Sequence, residues 1–263
     1  MDGDRRASAP QGRAGRTYHG RRLAPLAGAA ENIRDYCRFG TRSSAFLVDR
    51  TTRYDEHDQR VIVDSLTAVV ESLGPGDRIY IATIGEHYSG SQRVFNECRP
   101  GCPQTRNPLG DIATGCASLL ATRDRRAFMN RLRQRVSTLL STASEASHSD
   151  ITGTIAQTMR RPPGGRAFAH LYIYSDMLEN SQALPWTRFR DQTPEQSMAI
   201  ADAYGLTPAL ANAEVRIVGF GRLHDTARTP LNADLDLRLR AFWRAYFRRG
   251  GARAVEFEGT ISN

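Results

Sequence analysis

Apolar residues along the chain follow two alternating rhythms. Residues 44–48 (SAFLV) form a short apolar run that ends at Asp49, as expected of a buried strand whose last residue reaches solvent. Ile62, Leu66, Val69 and Leu73 then recur at helical spacing, and Gly74-Pro75-Gly76-Asp77 supplies the stop. Residues 78–84 (RIYIATI) have the β-branched and aromatic content of a second strand, and 92–95 return beside it as an antiparallel edge after a turn at Tyr88-Ser89-Gly90. Phe128, Leu132, Val136 and Leu139 mark the next helix, with Arg on its solvated face. A shorter helix spans 151–160, and the breaker Pro162-Pro163-Gly164-Gly165 separates it from a strand at 167–174 (AFAHLYIY). Thr193-Pro194-Glu195-Gln196 carries a capping box and opens a helix to about residue 204. A strand at 214–220, an amphipathic helix through Leu235, Leu239, Phe242 and Tyr246, and a last strand at 252–257 complete the pattern. Strands and helices alternate nearly throughout. The expected fold is therefore α/β: a three-layer, doubly wound, mostly parallel sheet with one antiparallel edge strand.

The chain has 263 residues, enough for one α/β layer structure, which commonly stays a single domain up to roughly 250 residues. Residues 1–40 read as a basic, largely disordered tail: they carry eight Arg against four acids and show no hydrophobic periodicity. Residues 41–263 read as the folded domain, with a Cys-containing insertion near 96–118. The formal net charge is +8, yet all 36 basic residues are arginine, a bias that fits a GC-rich genome better than a phosphate-tracking surface, which normally mixes Arg and Lys. No run approaches the ~18 consecutive apolar residues of a membrane helix, and the N-terminus lacks the apolar core of a secretory signal. The cytoplasm is the expected compartment. Cys37, Cys98, Cys102 and Cys116 lack the paired C-x2-C spacing of a zinc site. Unpaired thiols are the expected state, and a Cys102–Cys116 loop disulfide is the alternative in an oxidising compartment.

In such sheets ligands bind beyond the carboxyl ends of the strands. Asp49 ends the first strand and Asp176 the fourth, and between them residues 148–154 (HSDITGT) open a helix with hydroxyls and free N–H groups. Two carboxylates with several hydroxyls form a hard oxygen environment suited to Mg²⁺ or Mn²⁺.

This arrangement resembles the von Willebrand factor A (VWA) domain over about residues 44–258. That family's metal-ion-dependent adhesion site combines a D-x-S-x-S loop after the first strand, a Thr before a central helix and an Asp after the fourth strand. The resemblance implies a metal held by Asp49, Thr51, Ser149 and Asp176, with Thr152 as the alternative to Ser149. It further implies a non-enzymatic protein–protein interaction module that takes a carboxylate from an acidic protein ligand at the open metal position. The chain departs from the family pattern at Arg53, which stands at the third loop position in place of Ser and supplies no metal ligand. Pointing inward, Arg53 would pair with Asp49 or Asp176 and take the metal's place; pointing outward, it would leave Thr52 or water to complete the coordination.

Two other readings are open. The Arg-rich tail and the helix bearing Arg238, Arg240, Arg244, Arg248 and Arg249 offer a nucleic-acid surface, whose binding would weaken steeply with salt. An Asp after the first strand is also the nucleophile of haloacid dehalogenase-like phosphotransferases, but Thr51 replaces that family's second Asp, and the chain has no lysine. The missing lysine also excludes a Walker A loop, and neither a complete dinucleotide fingerprint nor a nucleophile elbow is present. No catalytic residue is assigned.

Overall fold

The computed structural model describes residues 35–103, 115–221 and 231–258. Residues 1–34 of the tail and 104–114 of the insertion lie outside these. Six strands form one sheet in the order β3-β2-β1-β4-β5-β6, where β1 is Ser43–Asp49, β2 Arg78–Ile84, β3 Arg93–Cys98, β4 His170–Tyr174, β5 Glu214–Val218 and β6 Ala254–Glu258. All neighbours are parallel except β2 and β3, so the sheet is the expected Rossmann-like one with a single antiparallel edge.

Alternation of side chains along the strands divides the core between two faces. Phe46 and Val48 of β1 pack with Ile62, Leu66 and Val70 of α1 (Glu56–Ser72) and with Phe128, Leu132 and Val136 of α2 (Ser118–Ser141). Ala45 and Leu47 point to the other face, beneath α3 (Ile151–Arg160), α5 (Pro194–Ala203) and α6 (Ala233–Arg249). A four-residue helix, α4 (Trp186–Phe189), lies on the same side, its Phe189 edge-on to Phe242 at 4.9 Å between ring centres. Trp243, Tyr246 and Phe247 of α6 are fully buried, so the aromatic cluster of that helix is packing.

The chain departs from the sequence-based expectation at its cysteines. Cys37 is bonded to Cys98 and Cys102 to Cys116, so no described thiol is free. The first bond was not foreseen, because its partners stand 61 residues apart. It joins the segment before β1 to the end of edge strand β3. Residues 35–40, read from the sequence as part of the tail, are tied into the described fold: Tyr36 is buried and donates its hydroxyl to Asp124 at 2.8 Å, and the amides of Thr41 and Arg42 just after them donate to Asp77 Oδ1. Gly40 and Gly76 meet so closely that a Cβ on Gly40 would lie 1.9 Å from the Gly76 carbonyl oxygen. Alkylation of the unfolded, unreduced protein should add no adduct, and four should appear after reduction; adducts before reductant would count against this pairing.

Candidate functional site

Going along the chain, β1 is followed by β2 on one side of it, whereas β4 lies on its other side and leads away to β5, so the winding reverses between β1 and β4. That reversal opens a crevice at the carboxyl ends of the two strands. Asp49 stands there at the end of β1, fully buried. Its Oδ1 accepts from the Thr51 amide at 2.8 Å and the Thr51 hydroxyl at 2.6 Å, and its Oδ2 accepts from the Ser175 hydroxyl at 2.7 Å. Burial pushes the Asp49 carboxyl up to about 6, and the charge of Asp176 adds to the rise, while the bonds from Thr51 and Ser175 oppose it. Helix capping does not account for Asp49: the N-cap of α1 is Asp55, which accepts from the Asp58 amide.

Asp176 lies just beyond β4. Its Oδ1 accepts from the Leu178 amide at 2.9 Å and its Oδ2 from the Thr52 hydroxyl at 3.2 Å, so the loop after β1 reaches across to it. Ser175, the residue before Asp176, donates its hydroxyl to Asp49 and accepts from the Met177 amide at 2.9 Å. Met177 takes a left-handed φ of 62°, a conformation that costs a bulky residue of order 1 kcal/mol. The surrounding contacts hold it, with its carbonyl accepting from the Trp243 indole at 3.0 Å.

The loop before α3 closes the third side. The Ala146 amide donates to the Thr51 carbonyl, and Ser149 exchanges backbone hydrogen bonds with Asn180 at 3.1 and 2.9 Å. Thr51 and Ser149 line a common cavity of ≈ 230 Å³. Ser149 Oγ is buried and has no hydrogen-bond partner among the described residues; of the four such atoms it is the only hydroxyl in a cavity that Thr51 lines. A buried polar atom left in this state costs about 1–3 kcal/mol unless something unseen satisfies it.

Asp49 is thus bonded to Thr51, the adjacent Thr52 to Asp176, and Thr51 shares its cavity with Ser149. Thr152 is placed differently: it is fully buried, and its hydroxyl donates to Glu179 Oε1 at 3.1 Å. Arg53 is exposed. Two residues absent from the sequence-based site matter to it. Ser175 was foreshadowed only by its position beside Asp176. Glu179, fully buried, accepts from the amides of Ile151 and Thr152 at 3.0 and 2.8 Å and thereby fixes the start of α3 beside Ser149.

The donor set fits a small hard cation: two carboxylates, two hydroxyls and one of those hydroxyls orphaned. Among the described residues there is no group of three or more His, Cys, Asp or Glu able to hold a metal ion, so any cation here depends on the hydroxyls. No family model matches the chain, and no curated protein matches it.

Proposed function

We propose that the chain is a non-enzymatic protein–protein interaction module of the von Willebrand factor A type, with its ligand site in the crevice between β1 and β4. The observation that carries this reading is that Asp49 and Asp176, beyond neighbouring strands β1 and β4, are tied to the loop after β1 by Thr51 and Thr52, and that Thr51 shares a cavity with the unsatisfied Ser149 hydroxyl. Asp49, Thr51, Ser149 and Asp176 would hold Mg²⁺ or Mn²⁺. When bound, the cation supplies a Lewis-acidic position for a carboxylate of an acidic partner protein. The chain's own contribution is orientation: Thr51 and Ser175 fix both oxygens of Asp49, and the left-handed turn at Met177 fixes Asp176.

The nucleic-acid reading draws less support. Arg240 pairs with Asp236 and lies over Phe220 and Phe257, Arg244 lies over Phe257, Arg249 pairs with Asp202 and Arg238 donates to the Arg190 carbonyl, so four of the five helix arginines are engaged within the fold. Phosphoryl transfer also draws less support, since Thr51, at the position of that family's second Asp, has a hydroxyl that donates to Asp49 and supplies no carboxyl general acid. No described helix is long and apolar enough to cross a membrane. Two disulfides favour an oxidising compartment over the cytoplasm expected from the sequence.

Calorimetric titration of Mg²⁺ or Mn²⁺ into the full chain tests the reading. Saturable one-site binding is expected, weakened at least tenfold by Asp49→Ala and unaffected by removal of residues 1–25. Absence of saturable binding would remove the metal from the proposal. Partner binding lost only on removal of residues 1–25 would remove the crevice.

A further inference from the structure

Thr51 and Ser149 share their cavity with Ala146, Leu178, Asn180 and Trp186, and hydrogen bonds hold its walls. Asn180 cross-links them: its Oδ1 accepts from the Trp186 amide at 2.8 Å and its Nδ2 donates to the Ser147 carbonyl at 2.6 Å. The Ser147 hydroxyl and His148 Nδ1 are bonded to each other at 2.9 Å. Apart from the unsatisfied Ser149 hydroxyl, these polar side chains are bonded within the fold, and Trp186, Leu178 and Ala146 also line the cavity. The Trp186 ring also stacks obliquely against Phe189, 6.4 Å between centres, which braces it from behind. At ≈ 230 Å³ the cavity is smaller than the roughly 300–1,000 Å³ of a pocket for a drug-sized molecule, so it suits one side chain.

We infer that this cavity receives an apolar side chain of the same acidic partner, so that the ligand is recognised as a carboxylate next to a branched aliphatic or single-ring group. The inference rests on the crevice reading above: Thr51 and Ser149, which that reading makes metal ligands, line the same cavity as Trp186, so a partner carboxylate at the metal would bring its neighbouring group to that cavity. A preformed wall keeps the ordering cost of binding low, and each buried methylene contributes about a fourfold gain in affinity.

Two small carboxylates separate the parts of this inference. Acetate and 4-methylpentanoate are titrated into the full chain, with and without Mg²⁺, and followed by amide chemical shifts in NMR. Both are expected to bind only with Mg²⁺, 4-methylpentanoate at least tenfold more tightly, and the ratio of their dissociation constants should collapse toward one in Ala146→Phe, which fills the cavity, and in Trp186→Ala, which removes a wall. Equal Mg²⁺-dependent affinities for the two acids would overturn the apolar subsite and leave the crevice reading standing. Absence of Mg²⁺-dependent binding by either acid would overturn both, and tight 4-methylpentanoate binding without Mg²⁺ would overturn the link between cavity and crevice.

Discussion

Replacing Glu179 by alanine should lower stability by about 3–5 kcal/mol, because the amides of Ile151 and Thr152 and the hydroxyl of Thr152 lose their acceptor in a site closed to water. Glutamine keeps an acceptor in place and should cost far less. The same residue controls a pH response. Burial pushes the Glu179 carboxyl up to about 8, with the nearby charge of Asp150 adding to the rise and hydrogen bonds from Ser181 and Thr152 opposing it. The folded state thus holds the proton more tightly than the unfolded chain does. The resulting stabilisation is complete below the unfolded value, near 4.5, and is lost as pH rises from there to about 8. Chemical unfolding of the wild type between pH 5 and 8 should therefore give a stability that falls with a slope approaching ~1.4 kcal/mol per pH unit from this one group. Glu179→Gln should flatten that slope. An unchanged slope in the variant would assign the pH response to other groups.

The second large effect belongs to the Cys37–Cys98 bond. Its partners are 61 residues apart, and the loop-closure entropy removed from the unfolded chain corresponds to about 4 kcal/mol, against about 3 kcal/mol for Cys102–Cys116 across 14 residues. The double variant Cys37→Ser/Cys98→Ser should lose about 4 kcal/mol in urea unfolding at unchanged pH. Because this bond ties the turn at Tyr36–Arg38 to the end of β3, local exchange should also rise there first, with amide protection lost at Phe39 and Gly40 before the central strands. A loss below 1 kcal/mol would mean that this cross-link adds little to the rest of the fold.

The fold was legible where a short run of residues carries its own period or composition. Residues 78–84 were marked as a strand by Ile79, Ile81 and Ile84, and the capping box at Thr193 and Gln196 marked the start of α5. The four residues of α4 are too few to show a helical period. In the candidate site, Asp49 and Asp176 could be found because each follows an apolar strand, and strand ends define the rim of a parallel sheet. The sequence pattern ranked Ser149 ahead of Thr152, but it could not show that Glu179, 27 residues beyond Thr152, accepts the Thr152 hydroxyl. The Cys37–Cys98 pairing was hidden for a similar reason: it requires β3 to fold back on β2 before the two sulfurs meet.

The central position of β1 also shapes how the chain is made. During synthesis on the ribosome, β2 and β3 emerge soon after β1 and can cover one side of it, but its other partner, β4, begins only at His170. Until then the nascent chain presents an unpaired apolar strand edge, the kind of surface that recruits chaperones or aggregates. Cys37 and Cys98 both precede α2, so both ends of the bond that ties β3 to the segment before β1 are made before β4 is.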